Sequence, residues 1–459
     1  MAPITVDDSN GSGHCDNVEL GISVFSGGTA ANSLVDVFNK IAEKRQRKLN
    51  YIIPISDNGG SSSELIRFVG GPSVGDIRSR LVRLIPNHDG DQERSALKLL
   101  FEHRLDSNPL KARTEWLDIV ESQSLLWGFI SSPKRELIRS VLNTVNLEIV
   151  KRARPPNVYN FAGASIGNMF LTGARIFSGS FESAIYLLSM ICSIPPWVDV
   201  LPAINSNFTH HISAGLRDGS TIAGQVAISH PSEPTAVPDD TEVAPALTAA
   251  DHDRIEDANL PGSLPALRRP NIAFSKDDEE DLPARIERLW YINPYGHEIS
   301  PVANPKVVEA LAATSTVIYS IGSLYTSIIP SLILRKVGQA IGESQVRHKI
   351  LILNSKLDRE TGPKTDPMTA KDFVAAIARA CVESRSPELV GCEEILGRYV
   401  SHLIYLEEDG TPAVEVEELE RLGIRCTKVK GKPSGTGRRA MVRYDEAALG
   451  EALEAIIDS

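Results

Sequence analysis

Three segments carry the residue types best suited to chemistry: Ser26-Gly27-Gly28-Thr29, Asp57-Asn58-Gly59-Gly60-Ser61-Ser62 and Gly75-Asp76-Ile77-Arg78. Each is rich in small residues that leave backbone N–H groups uncovered. Where such loops open helices, free N–H groups and the positive helix end suit an anion, most often phosphate. The bland alternative is that the glycines only make tight turns; three such segments close together weigh against it. A dinucleotide redox site is disfavoured. Gly27-Gly28 lacks the G-x-G-x-x-G spacing, and Lys48, Leu49 and Asn50 supply no ribose-binding carboxylate about 20 residues on. A phosphate loop of the G-x-x-x-x-G-K-[ST] kind is absent too, because Cys426 stands where Gly431-Lys432-Pro433-Ser434 would need its first glycine.

The elements that must position these loops are legible around them. Leu20–Phe25 is a continuous apolar run and reads as a buried strand, turned sharply by the first loop. Asn32–Lys44 follows with helical spacing, Leu34, Val35, Phe38 and Ile41 forming one face. Tyr51–Ile55 is a second buried strand that ends at the Asp57 loop, with another helical pattern behind it. Loops at the carboxyl ends of strands in an open α/β sheet share one rim, where ligands bind.

The chain has 459 residues, enough for a large core and several domains or one domain with insertions. A net charge of −11 argues against broad nucleic-acid binding. Five scattered cysteines form neither a disulfide framework nor a zinc motif and fit a reducing compartment. Met1–Asn17 is polar and acidic, a flexible leader rather than a signal peptide. The apolar region Ser315–Val337 is broken by Gly322 and Pro330, so no membrane span is expected. A cytoplasmic location follows.

Asn87–Ala153 is mostly helical in pattern, with Arg94, Arg104, Lys111 and Arg113 on a solvated face. Asn160–Leu171 begins small and polar and becomes an apolar helix; Asn168 could reach a ligand from its first turns, or its small residues could simply pack tightly. Ala203–Leu216 alternates like a strand, Asp218-Gly219 is a hairpin signal, and Thr221–Ile228 returns beside it. His210-His211 is a weak metal candidate, because strand neighbours point to opposite faces. Residues 231–282 are rich in Pro, Asp, Glu and Ala and read as a disordered insertion. Beyond it come the strand Ile286–Ile292, a helix after Asn304-Pro305, the strand Thr316–Ile321, a helical pattern over Ile328–Ile341, the strand Lys349–Leu353 and the helix Ala370–Cys381. This alternation implies an α/β fold with a doubly wound, mainly parallel sheet and helices on both faces. It spans residues 18–230 and 283–459 on either side of the insertion. Gly431–Arg439 reads as a mobile basic loop and Tyr444–Ile457 as a closing amphipathic helix.

The motifs in order resemble those of the 2-phospho-L-lactate transferase and gluconeogenesis factor family (CofD-like, UPF0052). Ser26–Ala30 stands for its Gly-rich first turn, Asp57–Ser63 for Asp-Asp-Gly-Gly-Ser-Ser-Gly, and Val74–Arg78 for Pro-Gly-Asp-Ile-Arg. Ser165-Ile166-Gly167-Asn168 matches its Ser-x-Gly-Asn element, and Gly322-Ser323-Leu324-Tyr325-Thr326-Ser327 is intact. Asn354 with Glu360-Thr361 resembles its Asn…Gly-Glu-Thr region. The likeness covers roughly residues 19–380 apart from the insertion. It implies a Rossmann-like nucleotide-binding protein, either a phosphotransferase acting on a nucleotide-diphosphate-linked small molecule or a non-catalytic sensor of a nucleotide-sugar such as UDP-N-acetylglucosamine. A homodimer is the assembly it implies.

On this reading Ser26, Gly27, Gly28 and Thr29 cradle one phosphate. Gly322, Ser323, Tyr325 and Thr326 hold another part of the ligand. Asn58, Gly59, Gly60, Ser61, Ser62, Gly75, Asp76, Arg78 and Asn168 complete the nucleotide site. Asp57 is the candidate metal ligand, for Mg²⁺ or a similar divalent cation, or the base that orients the acceptor. Its plain alternative is a helix cap, and that of Arg78 is a structural pair with Asp76. Asn58 replaces a family acid, which weakens metal-dependent transfer more than nucleotide binding.

Overall fold

The structure, a computed structural model, describes residues 20–56, 59–86, 90–154, 158–229, 264, 267, 281–385, 395–408, 410–434 and 441–459. The readings for 1–17 and for nearly all of 231–282 lie outside these residues, as do Asp57 and Asn58.

Thirteen strands are described: β1 (Gly21–Phe25), β2 (Leu49–Ile53), β3 (Val198–Pro202), β4 (His211–Leu216), β5 (Thr221–Ala223), β6 (Ile286–Ile292), β7 (Glu298–Ile299), β8 (Thr314–Tyr319), β9 (His348–Ile352), β10 (His402–Tyr405), β11 (Arg425–Lys428), β12 (Gly431–Ser434) and β13 (Met441–Tyr444). Seven form the main sheet in the order β11-β10-β9-β8-β1-β2-β3, every neighbouring pair parallel. Helices cover it, as the doubly wound expectation requires. All residues of β1, β2 and β8 are buried. A parallel strand sheathed on both faces has no solvent side, which is why these strands read as unbroken apolar runs.

From β1 the chain steps outward through β2 to β3; its second half starts again beside β1 at β8 and steps the other way through β9 and β10 to β11. The order reverses between β1 and β8. This is the switch point, where the loops leaving adjacent strands diverge and open a crevice.

Several local readings change. Ala203–Leu216 is a strand only over His211–Leu216, which pairs antiparallel with β5 and β6 in a four-stranded sheet, β5-β4-β6-β7. The segment before it is tied down by its side chains, Asn207 Oδ1 accepting the Phe181 N–H at 2.8 Å. The edge strand β3 went unread; its Pro202 fits there because an edge strand can lose one donor. The pattern over Ile328–Ile341 is two short helices, Ile329–Leu332 and Val337–Ile341, separated where Lys336 takes φ +81°. Gly431–Ser434 is a strand paired antiparallel with Met441–Tyr444, not a mobile loop.

Candidate functional site

The first loop is built for close approach. A Cβ on Gly27 would stand 2.5 Å from Ser327 Oγ, and one on Gly28 would stand 2.3 Å from Asp76 Oδ1 and 2.9 Å from Asp76 Cα. The turn after β1 therefore touches both the loop after β8 and the first turn of α3 (Gly75–Arg83). Beneath it lies Arg80, 0% exposed. Its Nη2 donates to the Gly27 carbonyl at 3.0 Å and to Ser26 Oγ at 3.2 Å, and its Nη1 to the Ala31 carbonyl at 3.4 Å. The guanidinium also lies over the Tyr51 ring, 4.5 Å from its centroid. In a trans peptide the C=O and N–H point opposite ways. Arg80, holding the Gly27 carbonyl, thus points the Gly28 N–H away from its own guanidinium.

The second cluster joins α2 (Ser61–Val69), α3 and the helix Ile166–Ser178. Gly60 enters α2 at φ +57°. Asn168 is buried and uses both ends of its amide: Nδ2 donates to Ser61 Oγ at 2.9 Å and to Ser62 Oγ at 3.4 Å, while Oδ1 accepts from Arg78 Nε at 3.1 Å. Gly75 lies against the same serines, since its added Cβ would stand 3.0 Å from Ser62 Oγ. Gly167 lets the Arg78 stem rest on its helix, with only 2.7 Å from an added Cβ to Arg78 Cγ. Tight packing and polar reach are thus the same feature of Ser165–Asn168. Arg104 is exposed, as a solvated residue should be, yet its Nη1 donates to the Gly163 carbonyl at 3.2 Å and to Ser61 Oγ at 3.5 Å. It belongs to this cluster, and sequence patterning missed it. Burial, with the charge of Arg104, lowers Arg78 to about 10, so it remains a cation at neutral pH.

In the third loop Gly322, at φ +146°, is pinned by Asn354: its N–H donates to Asn354 Oδ1 at 3.0 Å and its carbonyl accepts from Nδ2 at 2.8 Å. The N–H groups of Tyr325 and Thr326 donate to Glu360 Oε2 at 2.9 and 3.0 Å, and the Thr326 hydroxyl lies 2.5 Å from Oε1. The Tyr325 hydroxyl donates to the Ile286 carbonyl at 3.0 Å. These donors are taken up inside the protein, so Tyr325 and Thr326 shape the loop. Burial, reinforced by Asp358, pushes the Glu360 carboxyl up to about 8 against the hydrogen bonds it accepts.

Gly27 against Ser327, Gly28 against Asp76 and Gly75 against Ser62 link all three loops at the carboxyl rim of the sheet. Among the described residues, no group of three or more His, Cys, Asp or Glu could hold a metal. His211 is buried and held down to about 4 by burial and then by His210. No helix among the described residues is long and apolar enough to cross a membrane.

Comparison with known proteins bears on the whole chain. An uncharacterized protein of Saccharomyces cerevisiae is 39% identical over 434 residues, covering 89% of this chain and 95% of its own. The gluconeogenesis factors of Halalkalibacterium halodurans and Bacillus subtilis are 21% and 20% identical, covering 88% and 89% of this chain and 87% and 89% of theirs. The crystal structure of a UPF0052 family member from Bacillus halodurans shares the fold, with a TM-score of 0.56 at 19% identity over 95% of this chain and 99% of that one. Residues 22–430 match the family model described as 2-phospho-L-lactate transferase CofD, and the chain belongs to that family.

Proposed function

We propose that this chain binds the diphosphate of a nucleotide-linked small molecule at the β1/β8 switch point and transfers a phosphorylated group from it. The reading is carried by the convergence of Arg78, Asn168, Ser61 and Ser62 beside the Gly28 turn. An acceptor hydroxyl attacks the phosphorus bonded to the small molecule. The new P–O bond forms as the bond to the bridging oxygen breaks, and a nucleoside monophosphate leaves. Asp57 is the residue to take the hydroxyl proton. Arg78 and Arg104 offset charge on the phosphates, and the Gly28 N–H, pointed away from Arg80, would add a fixed donor where charge develops. In its alternative role, Asp57 would hold Mg²⁺ or a similar divalent cation, which is commonly bound by one or two carboxylates and the substrate's own phosphates. When bound, it would draw charge from the transferred phosphoryl group.

A second reading, favoured by the gluconeogenesis-factor names of the near full-length bacterial relatives, is a non-catalytic nucleotide-sugar sensor that regulates carbon or cell-wall metabolism. Thermal-shift titration with nucleoside diphosphates and UDP-N-acetylglucosamine, with and without Mg²⁺, tests both alongside an assay for released nucleoside monophosphate. Stabilisation with release supports transfer, stabilisation without it supports the sensor, and no stabilisation by any of these compounds removes both. Asp57→Asn refines the outcome: lost turnover with retained binding marks chemistry, and lost thermal stability alone marks a helix cap.

A further inference from the structure

The opposite rim of the main sheet, at the strands' amino ends, carries a second polar cluster. Thr316 of β8 is in register with His348 of β9, and His402 of β10 with both Ile350 of β9 and Arg425 of β11. Partners in register share a face, as do residues two apart along a strand. Thr316, His348, His402 and Arg425 therefore line one face of four adjacent strands. The two imidazole rings lie 5.8 Å apart between centroids. Thr316 and His402 are 0% and 6% exposed, and His348 is half-buried. His402 Nδ1 meets Ser401 Oγ at 2.9 Å. Among the described residues, Thr316 Oγ1, His348 Nδ1 and His402 Nε2 are buried without a hydrogen-bond partner.

Neighbouring orphaned polar atoms are rare in folded proteins and mark a place that something polar fills. The surrounding charge decides its sign. Besides burial, the groups acting on His348 are Arg347, Arg47, Arg425 and Lys349, and those acting on His402 are His348 and Arg425. None of these is acidic. α1 (Val35–Lys44) lies over the same face, Asn39 within 3.5 Å of the Tyr51 hydroxyl; near its end Glu454 and Asp458 of the C-terminal helix are bound to Lys44 and Arg45, and Glu43 is exposed. Such a field repels a metal cation and holds an anion, which would accept from both imidazoles and Arg425.

We propose that a small oxyanion of the phosphate class binds between His348, His402 and Arg425, on the amino-end rim of the main sheet opposite the switch point. This site is independent of the nucleotide reading. The full chain, labelled with ¹⁵N-histidine and assigned through His348→Gln and His402→Gln, is titrated with inorganic phosphate at constant ionic strength, with chloride as reference. Saturable movement of both sets of imidazole resonances is expected, with higher titration midpoints for both rings because a bound anion favours imidazolium. Arg425→Gln weakens this response about tenfold, the size of one charge-assisted hydrogen bond, whereas Arg78→Gln at the switch point leaves it unchanged. Imidazoles that do not move with phosphate, or that move equally with chloride, overturn the proposal and leave water as the occupant.

Discussion

Arg78 Nε donates to Asn168 Oδ1 at 3.1 Å, joining residues 90 positions apart. The same Asn168 amide reaches Ser61 and Ser62 through its nitrogen. One side chain thereby ties three helix beginnings together and sets the direction of the guanidinium.

Asn168→Ala removes all of these bonds and leaves Arg78 Nε without that acceptor. The expected cost is about 1–3 kcal/mol in urea unfolding. The expected loss of nucleotide affinity is larger than that of a surface control such as Lys98→Ala. Unchanged affinity with reduced stability would assign Asn168 to packing alone.

Gly28→Ala places a methyl group 2.9 Å from Asp76 Cα, a backbone atom that cannot swing aside. The turn after β1 and the first turn of α3 must separate. Overpacking of this kind costs about 1–3 kcal/mol, and the thermal midpoint reports it. Ligand-induced stabilisation should fall as well, because the Gly28 N–H is displaced.

Arg80→Met keeps much of the side chain's volume but removes the donors to the Gly27 and Ala31 carbonyls. Unpartnered buried carbonyls cost about 1–3 kcal/mol, readable in denaturant unfolding. Arg80→Lys does not restore stability, since a point charge cannot span both carbonyls and lie flat on Tyr51.

Glu360 carries a pH signature. Burial and then Asp358 push its carboxyl up to about 8 from the ordinary 4.5. Between those values the folded chain keeps a proton that the unfolded chain has lost. Its contribution to stability therefore falls as pH rises through that window and levels off above it. The neutral acid still accepts from the Tyr325 and Thr326 N–H groups through Oε2. Glu360→Gln mimics that form, so the stability difference between variant and parent should move in favour of the variant from pH 5 to pH 8.5. A difference independent of pH would count against it.

The strands of the switch point were legible because both their faces are buried, and β1, β2, β8 and β9 read as apolar runs to within two residues. β11 was not legible. Arg425-Cys426-Thr427-Lys428 lies at the sheet edge, with no fully buried residue to mark it. Arg80 looks like a surface residue in its linear pattern and Glu360 is marked only by the family motif; contacts across the chain take both out of water.

By itself, the sequence determined which loops stand at the carboxyl ends of buried strands, since glycine, serine and apolar runs encode that locally. Only the tertiary structure decided which polar groups of those loops are taken up inside the protein. Glu360 takes the Tyr325 and Thr326 amides, while Arg80 holds the Gly27 carbonyl and so points the Gly28 amide the other way. A hydrogen bond formed across dozens of residues leaves no trace in the spacing of either partner.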